Sequence, residues 1–390
     1  MKILMVAPTP FFADRGCHTR IYEEVLGLQG RGHEVLLCTY GLGRDMPEVK
    51  TARCVNMPWY KKLSAGPSLT KILLLPFLWG TTMRQIGRFK PDVVHAHLHE
   101  GAMIAYFCRW FKRKPAYLFD MQGSLTGELI GHKFIREKGF RFSVFSGIER
   151  MLLKRFQIVT SSEKVRAQAI ELGRRAPESV VNVMDGVNTS RFAPQQPDPE
   201  LAASLGVDLA RPRVLYMGLL ETYQGTDVML EAFAMMKAAL PMLQFLIIGF
   251  PNVEHYRAVA QEKGIGEDVL FLGKVDYMDI HRYLALATVA VAPKISPTES
   301  DGKVYNYMAM GMATVAFRRN ATQEILGDAG LYANLNDPGD LAEKLLALVN
   351  HPDEAAQWGQ KARNRAMESL SWSAVARRLE DVYQGMLHKK

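Results

Sequence analysis

Short apolar runs rich in Val, Ile and Leu alternate along this chain with longer stretches in which apolar residues return every three or four positions. Residues 2–7, 34–39, 93–96 and 116–119 are runs of the first kind, and residues 20–31 and 102–111 are of the second. A strand covered on both faces is apolar throughout, whereas a surface helix is apolar along one stripe, so the alternation predicts a parallel sheet built from βαβ units. The grammar restarts further on. Residues 213–217 read as a strand, residues 225–240 carry Val228, Leu230, Phe233 and Met236 at helical spacing, and the runs 245–248, 269–272, 289–292 and 313–316 continue the series. The expectation is an α/β protein with two doubly wound halves. Open parallel sheets bind ligands outside the carboxyl ends of their strands, so two such sheets facing each other would make a cleft.

Between the halves, Phe192-Ala193-Pro194-Gln195-Gln196-Pro197-Asp198-Pro199 has three prolines in six positions, which favours extended backbone and reads as the domain linker. Domains are therefore expected at residues 1–190 and 191–370. A length of 390 residues suits two domains, and 48% apolar with 23% charged residues is the balance of a globular protein. The longest greasy stretch, residues 72–79, is interrupted by Pro76 and is too short to span a bilayer. The first residues read as a strand and lack the apolar region and cleavage site of a signal peptide. Cys17, Cys38, Cys54 and Cys108 form no C-x-x-C pair, which fits a reducing cytoplasm and argues against zinc.

The net charge of +8 conceals an asymmetry. Residues 1–190 hold 28 Lys+Arg against 16 Asp+Glu, and the remainder holds 20 against 24. Eight basic residues and no acid lie between Glu48 and Asp92 (Lys50, Arg53, Lys61, Lys62, Lys71, Arg84, Arg88 and Lys90), interleaved with Trp59, Tyr60, Phe77 and Trp79. A second run follows at Arg109-Trp110-Phe111-Lys112-Arg113-Lys114. Three readings are open: a solvated face, a nucleic-acid surface, for which no recognisable module is present, or docking on an anionic membrane.

The segment Val183-Met184-Asp185-Gly186-Val187-Asn188-Thr189-Ser190-Arg191-Phe192-Ala193-Pro194 resembles the interdomain signature of the retaining family-4 glycosyltransferases. Further matches follow in the same order: Gly32-His33-Glu34-Val35, Pro91-Asp92-Val93-Val94-His95-Ala96-His97, Gly225-Thr226-Asp227-Val228, Lys303-Val304-Tyr305-Asn306 through Gly311, and Leu370-Ser371-Trp372. The resemblance covers nearly the whole chain. It implies the GT-B fold, with two Rossmann-like domains around a donor cleft and a last helix, residues 371–390, crossing back to the first domain. It also implies transfer of a sugar from a UDP- or GDP-sugar, without a metal or other cofactor, to a glycan or lipid-linked acceptor.

Site residues follow from the same likeness. Gly16, in the turn before the first helix, would let the backbone approach a phosphate; the alternative is that it is only a turn glycine. The family's donor-gripping Arg and Lys are replaced here by Leu219 and Gln224, after Gly218, and Lys294 and Lys303 are the substitute cations; the alternative is that both are solvated. Asn306 stands where the family's ribose-binding glutamate would be. Thr298 falls at the first acid of its pair, with Glu299 one place later as a sugar ligand, and Ser300, Asp301 and Gly302 are placed to offer backbone amides to the phosphates. Gln122 occupies the family's histidine position after the strand 117–119 and would bind the sugar, with Asp120 orienting the acceptor; alternatively Asp120 caps the next helix. His95, His97 and His99 alternate, so on extended backbone they share a face. His97 and His99 are cleft-lining candidates on the acceptor side; otherwise they are ordinary strand-end histidines. Three imidazoles could suggest a metal, but no carboxylate is obviously placed to complete a set, and the D-x-D pair of metal-dependent glycosyltransferases is missing. Two other readings stay open: a non-catalytic glycan- or partner-binding relative, motivated by Leu219, Gln224 and Asn306, and a sugar-nucleotide epimerase, which the interdomain signature disfavours. The expected location is the cytoplasm, with possible attachment to the inner face of the plasma membrane.

Overall fold

A computed structural model describes residues 1–13, 16–57, 69–131, 134–296 and 300–389. Arg15, Trp59, Tyr60, Lys61, Lys62, Thr298 and Glu299, which the sequence singles out, lie outside the described residues. The chain forms two compact units, one of Met1–Asp185 with Trp372–Lys390 and one of Gly186–Ser371.

The first unit is built on seven strands: β1 (Lys2–Ala7), β2 (Glu34–Thr39), β3 (Thr51–Arg53), β4 (Val93–His97), β5 (Ala116–Met121), β6 (Gln157–Thr160) and β7 (Val180–Asn182). All pair in parallel, in the order β3-β2-β1-β4-β5-β6-β7. The continuous apolar runs have the cause anticipated for them: both faces are covered. Leu4 and Val6 of β1 join Leu36, Cys38, Val94 and Phe119 in one core. Ile3 and Met5, pointing the other way, join Val35, Leu37 and Leu118 in another. That second core is closed by the last helix, Trp372–His388, which packs on the helix Gly16–Gly30 and buries Trp372, Val375, Leu379 and Tyr383. Arg31 Nε donates to Glu380 Oε2 at 2.6 Å across this contact.

The second unit holds β8 (Arg213–Leu219), β9 (Gln244–Phe250), β10 (Val269–Gly273), β11 (Val289–Ala292), β12 (Ala313–Phe317) and β13 (Leu331–Ala333), parallel in the order β10-β9-β8-β11-β12-β13. Each sheet therefore winds outward from its first strand in both directions and changes direction beside it, between β1 and β4 in one unit and between β8 and β11 in the other. In such sheets the switch point is where ligands bind.

Three local outcomes differ from the periodicity. Pro76 does not end a helix but sits inside one, Leu69–Phe89. The proline-rich stretch after residue 190 is packed rather than free-standing: Phe192 is fully buried, and Arg363 gathers the carbonyls of Thr189, Phe192 and Ala309. The division of the units accordingly falls after Asp185 and not at residue 190. The helix expected from Gly225 begins at Thr226 after a 3₁₀ turn, Thr222–Gln224. Gly225 has φ +78°, and a β-carbon there would lie 1.8 Å from the Pro293 carbonyl oxygen, so only glycine closes this turn.

Candidate active site

At the switch point of the first unit, the helix starting at Gly16 directs Arg20 inward across the ends of β4 and β5. Arg20 is 3% exposed. Its Nε donates to Asp120 Oδ2 at 3.2 Å, its Nη1 to Asp185 Oδ1 at 2.6 Å and its Nη2 to the Val183 carbonyl at 3.1 Å, and Glu24 Oε1 lies 2.9 Å from Nε. Burial opposes the guanidinium charge, but Asp120, Glu24 and Asp185 together outweigh it and hold the arginine above its usual range. The same balance acts in reverse on Asp120. Burial disfavours its carboxylate, yet Arg20 and a hydrogen bond from His97 keep it ionised far below the ordinary carboxylate range. Glu24, with less compensation, is pushed up to about 7, chiefly by burial and in part by Asp120.

Asp120 is fully buried, so it cannot touch an acceptor on this surface. Its contacts are with Arg20, His97 and Gln122. Gln122 Nε2 donates to Asp120 Oδ2 at 2.9 Å, which orients the side-chain amide with its oxygen, Oε1, turned away from the carboxylate. His97 Nδ1 lies 3.0 Å from the same Oδ2. Asp120 does not cap the next helix either: the amides of Leu125 and Thr126 are taken by Glu149.

The alternation of the histidines holds for His95 and His97, which share a face of β4, but not for His99. β4 ends at His97, and Leu98 has φ +62°, turning the chain into the helix Leu98–Phe111. His95 and His97 stack at 4.3 Å, with His95 sharing a hydrogen bond with Tyr383 Oη, and burial drives the His95 pKa well below its usual value. His99 departs to an ion-pair position 3.3 Å from Glu149. All three are buried, so His97 and His99 do not line a surface of this unit. The expectation that no carboxylate completes a set with the histidines is also corrected. Glu24, His95, His97 and Asp120 each offer a ligand-type atom within 4.8 Å of one another, although Arg20 already supplies positive charge to both carboxylates.

At the switch point of the second unit, β8 ends beside Lys303, in the first turn of the helix Gly302–Ala309. Lys303 is 8% exposed. Its Nζ donates to Gln224 Oε1 at 3.1 Å, lies 3.3 Å from Asp301 Oδ1 and sits 4.8 Å above the Tyr216 ring. Gly218 makes the approach possible, because a β-carbon there would meet Tyr216 Oη at 2.7 Å and Lys303 Cε at 3.0 Å. Lys303 thus reaches Gln224 from another element. Arg319, two residues beyond β12, lies 3.9 Å from Asp301 Oδ2, so two buried cations share one carboxylate. Lys294, two residues beyond β11, donates to the Ser300 carbonyl at 3.0 Å. Ser300 and Gly302 are exposed, Asn306 is half-buried, and Asp301 makes no side-chain cap on the helix that follows it. Lys294, Ser300, Gly302 and Lys303 therefore follow the carboxyl end of β11, with Asn306 one turn further along the helix. Leu219, the last residue of β8, is exposed without a polar function.

Three residues of these clusters escaped the sequence reading. Arg20 and Glu24 are an i,i+4 pair that resembles a solvated ion pair, and the available signal was their position beside the apolar stripe of Ile21, Val25 and Leu28. For Arg319 the signal was its place two residues after a strand.

Two parallel α/β units, each with its switch point beside its first strand, are the architecture of the GT-B fold. The profile described as glycosyl transferase 4-like domain matches residues 15–183, and that described as glycosyl transferases group 1 matches residues 211–351. The chain belongs to this family of group 1, family-4-like glycosyltransferases. It is 25% identical over 392 residues to the phosphatidyl-myo-inositol mannosyltransferase of Mycobacterium leprae, covering 98% of this chain and 96% of that one. It is 26% identical over 408 residues to the D-inositol 3-phosphate glycosyltransferase of Thermobispora bispora, covering 96% and 90%. Among solved structures, sucrose-phosphate synthase from Thermosynechococcus elongatus superposes with a TM-score of 0.75 at 18% identity over 100% of both chains. HepE of Anabaena in complex with UDP gives 0.74 at 15% identity over 99% of this chain and 100% of that one.

Proposed function

We propose that this glycosyltransferase takes a nucleotide-diphosphate sugar, UDP- or GDP-linked, on its second unit and transfers the sugar with retention, without a metal, to a hydroxyl of a lipid-linked or cell-surface glycan. The observation that carries the donor half is Lys303, a buried ammonium held at the β8–β11 switch point where the family's own lysine position is Gln224. A diphosphate is drawn to that ammonium, to Arg319 and to the uncapped amides at Gly302, and a charged hydrogen bond of this kind contributes about 1.5 to 3 kcal/mol. In the transfer, the bond from the anomeric carbon to the diphosphate oxygen breaks and the acceptor oxygen bonds on the same face. The acceptor proton passes to the leaving diphosphate. The protein's part is positioning and charge stabilisation, with the Gln122 carbonyl oxygen accepting from a substrate hydroxyl.

The acceptor half draws support from relatives whose names specify inositol lipids or inositol phosphates, and from the charge of the first unit. That unit carries 32 Lys+Arg against 18 Asp+Glu. Basic residues near an anionic leaflet contribute about 1 kcal/mol each, which supports peripheral attachment. No helix among the described residues is long and apolar enough to cross a membrane.

Thermal unfolding with and without UDP- and GDP-sugars, together with donor hydrolysis, tests the proposal. A donor at 100 times its dissociation constant adds about 2.7 kcal/mol. Lys303→Ala is expected to lower donor affinity about 10- to 100-fold, matching one lost charged hydrogen bond. Failure of every donor to stabilise the wild-type protein overturns the reading.

A further inference from the structure

The helix Leu69–Phe89 packs against the helix Leu98–Phe111, and the two leave an open groove of about 520 Å³ between them. That volume falls in the range, roughly 300 to 1,000 Å³, over which small ligands are held. All nine lining side chains are apolar. They come from two stripes at helical spacing, Ile72, Leu75 and Trp79 on one helix and Met103, Phe107 and Trp110 on the other, which places each set on a single face. A soluble surface does not ordinarily display such a stripe. Ile72 is 53% exposed, Trp110 59% and Phe111 66%.

The charge around the groove selects its occupant. The helix Leu69–Phe89 has no acidic residue and carries Arg84 and Arg88, and the helix Leu98–Phe111 has one, Glu100, in its first turn. At the opposite end, directly after Trp110 and Phe111, come Lys112, Arg113 and Lys114, and no acid follows before the buried Asp120. An apolar slot ending in a basic cluster matches an acyl chain ending in an anionic headgroup. A second copy of this chain does not match, since self-complementary pairing would set one basic cluster and one +14 unit against another.

We infer that the groove between these two helices binds an acyl chain of an anionic membrane phospholipid, with its headgroup phosphate at Lys112–Lys114. The site deepens the membrane half of the proposed function and rests on that reading for its biological purpose, while its geometry stands without it.

The test uses the full chain and vesicles of phosphatidylcholine alone or mixed with phosphatidylglycerol, with bromine on the acyl chains. Flotation with the mixed vesicles and quenching of tryptophan emission by the brominated chains are expected. Phe107→Asp and Ile72→Asp, both at exposed positions, should each weaken flotation at least tenfold and remove the quenching. Replacing Lys112, Arg113 and Lys114 with alanine should abolish the preference for phosphatidylglycerol. Equal flotation of wild type and Phe107→Asp overturns the proposal. So does binding without quenching, or concentration-dependent dimerisation that Phe107→Asp removes. Stabilisation by nucleotide sugars, measured on the same samples, separates the two readings. Donor stabilisation without vesicle binding sinks only the groove, and vesicle binding without donor stabilisation sinks only the transfer reaction.

Discussion

Residue by residue, the first unit's site is a chain of dependence that starts at Arg20 and ends at Gln122. Arg20 is stabilised by three carboxylates, Asp120 by Arg20 and His97, and Gln122 is aligned by Asp120. Removing one partner of a buried ion pair costs about 3 to 5 kcal/mol, because a charge is left uncompensated. Asp120→Asn is therefore expected to destabilise the protein by about that much, whereas Gln122→Ala should lower turnover with little change in the unfolding midpoint. Chemical denaturation beside initial-rate kinetics separates the two. Glu24 gives a second prediction. Its folded pKa of about 7 lies above the value of 4.5 expected when unfolded, so the folded state holds the extra proton between these limits. Its contribution to stability is consequently greatest at acid pH and falls as pH rises from 4.5 to 7. In Glu24→Gln the unfolding midpoint should lose that component of its slope, and an unchanged slope in a titration of midpoint against pH would contradict the assignment. None of this dependence is written locally. An Arg and a Glu four residues apart look alike whether the helix face meets water or a sheet.

Among the elements, the apolar runs identified most of the strands longer than three residues, though not β6, because a strand covered on both faces has one pattern wherever it occurs. The short β3, β7 and β13, three residues each, carry too few positions for a period and exist only because a neighbour's edge was open to them. Pro76 was a break in the pattern yet is accommodated within the helix Leu69–Phe89, whose Leu74 and Leu78 are anchored in the core. At Gly225 the backbone itself is the constraint. Gly225→Ala adds a β-carbon against the Pro293 carbonyl at a positive φ, where backbone strain costs about 1 to 3 kcal/mol before the clash is counted. A fall of several degrees in the unfolding temperature is expected, together with weaker donor binding, since the turn positions Gln224 under Lys303. Calorimetry with and without donor measures both.

For the molecule as a whole, the first unit is completed by the end of the chain. Trp372, Val375, Leu379 and Tyr383 fill its second core, and burying a large apolar side chain contributes about 1.5 to 3 kcal/mol. A fragment of residues 1–185 should therefore fail to fold, and one carrying residues 372–390 on a flexible linker should fold cooperatively; circular dichroism on the two fragments decides this. By itself the sequence determined the α/β class, the two halves, the family and the basic excess of the first half, because each is a matter of local period, motif order or counting. Only the tertiary structure decided which charges are buried and with whom. Arg20 meets Asp120 across 100 positions and Lys303 meets Gln224 across 79. Desolvation and pairing depend on such distant neighbours, and no local pattern of residues encodes them.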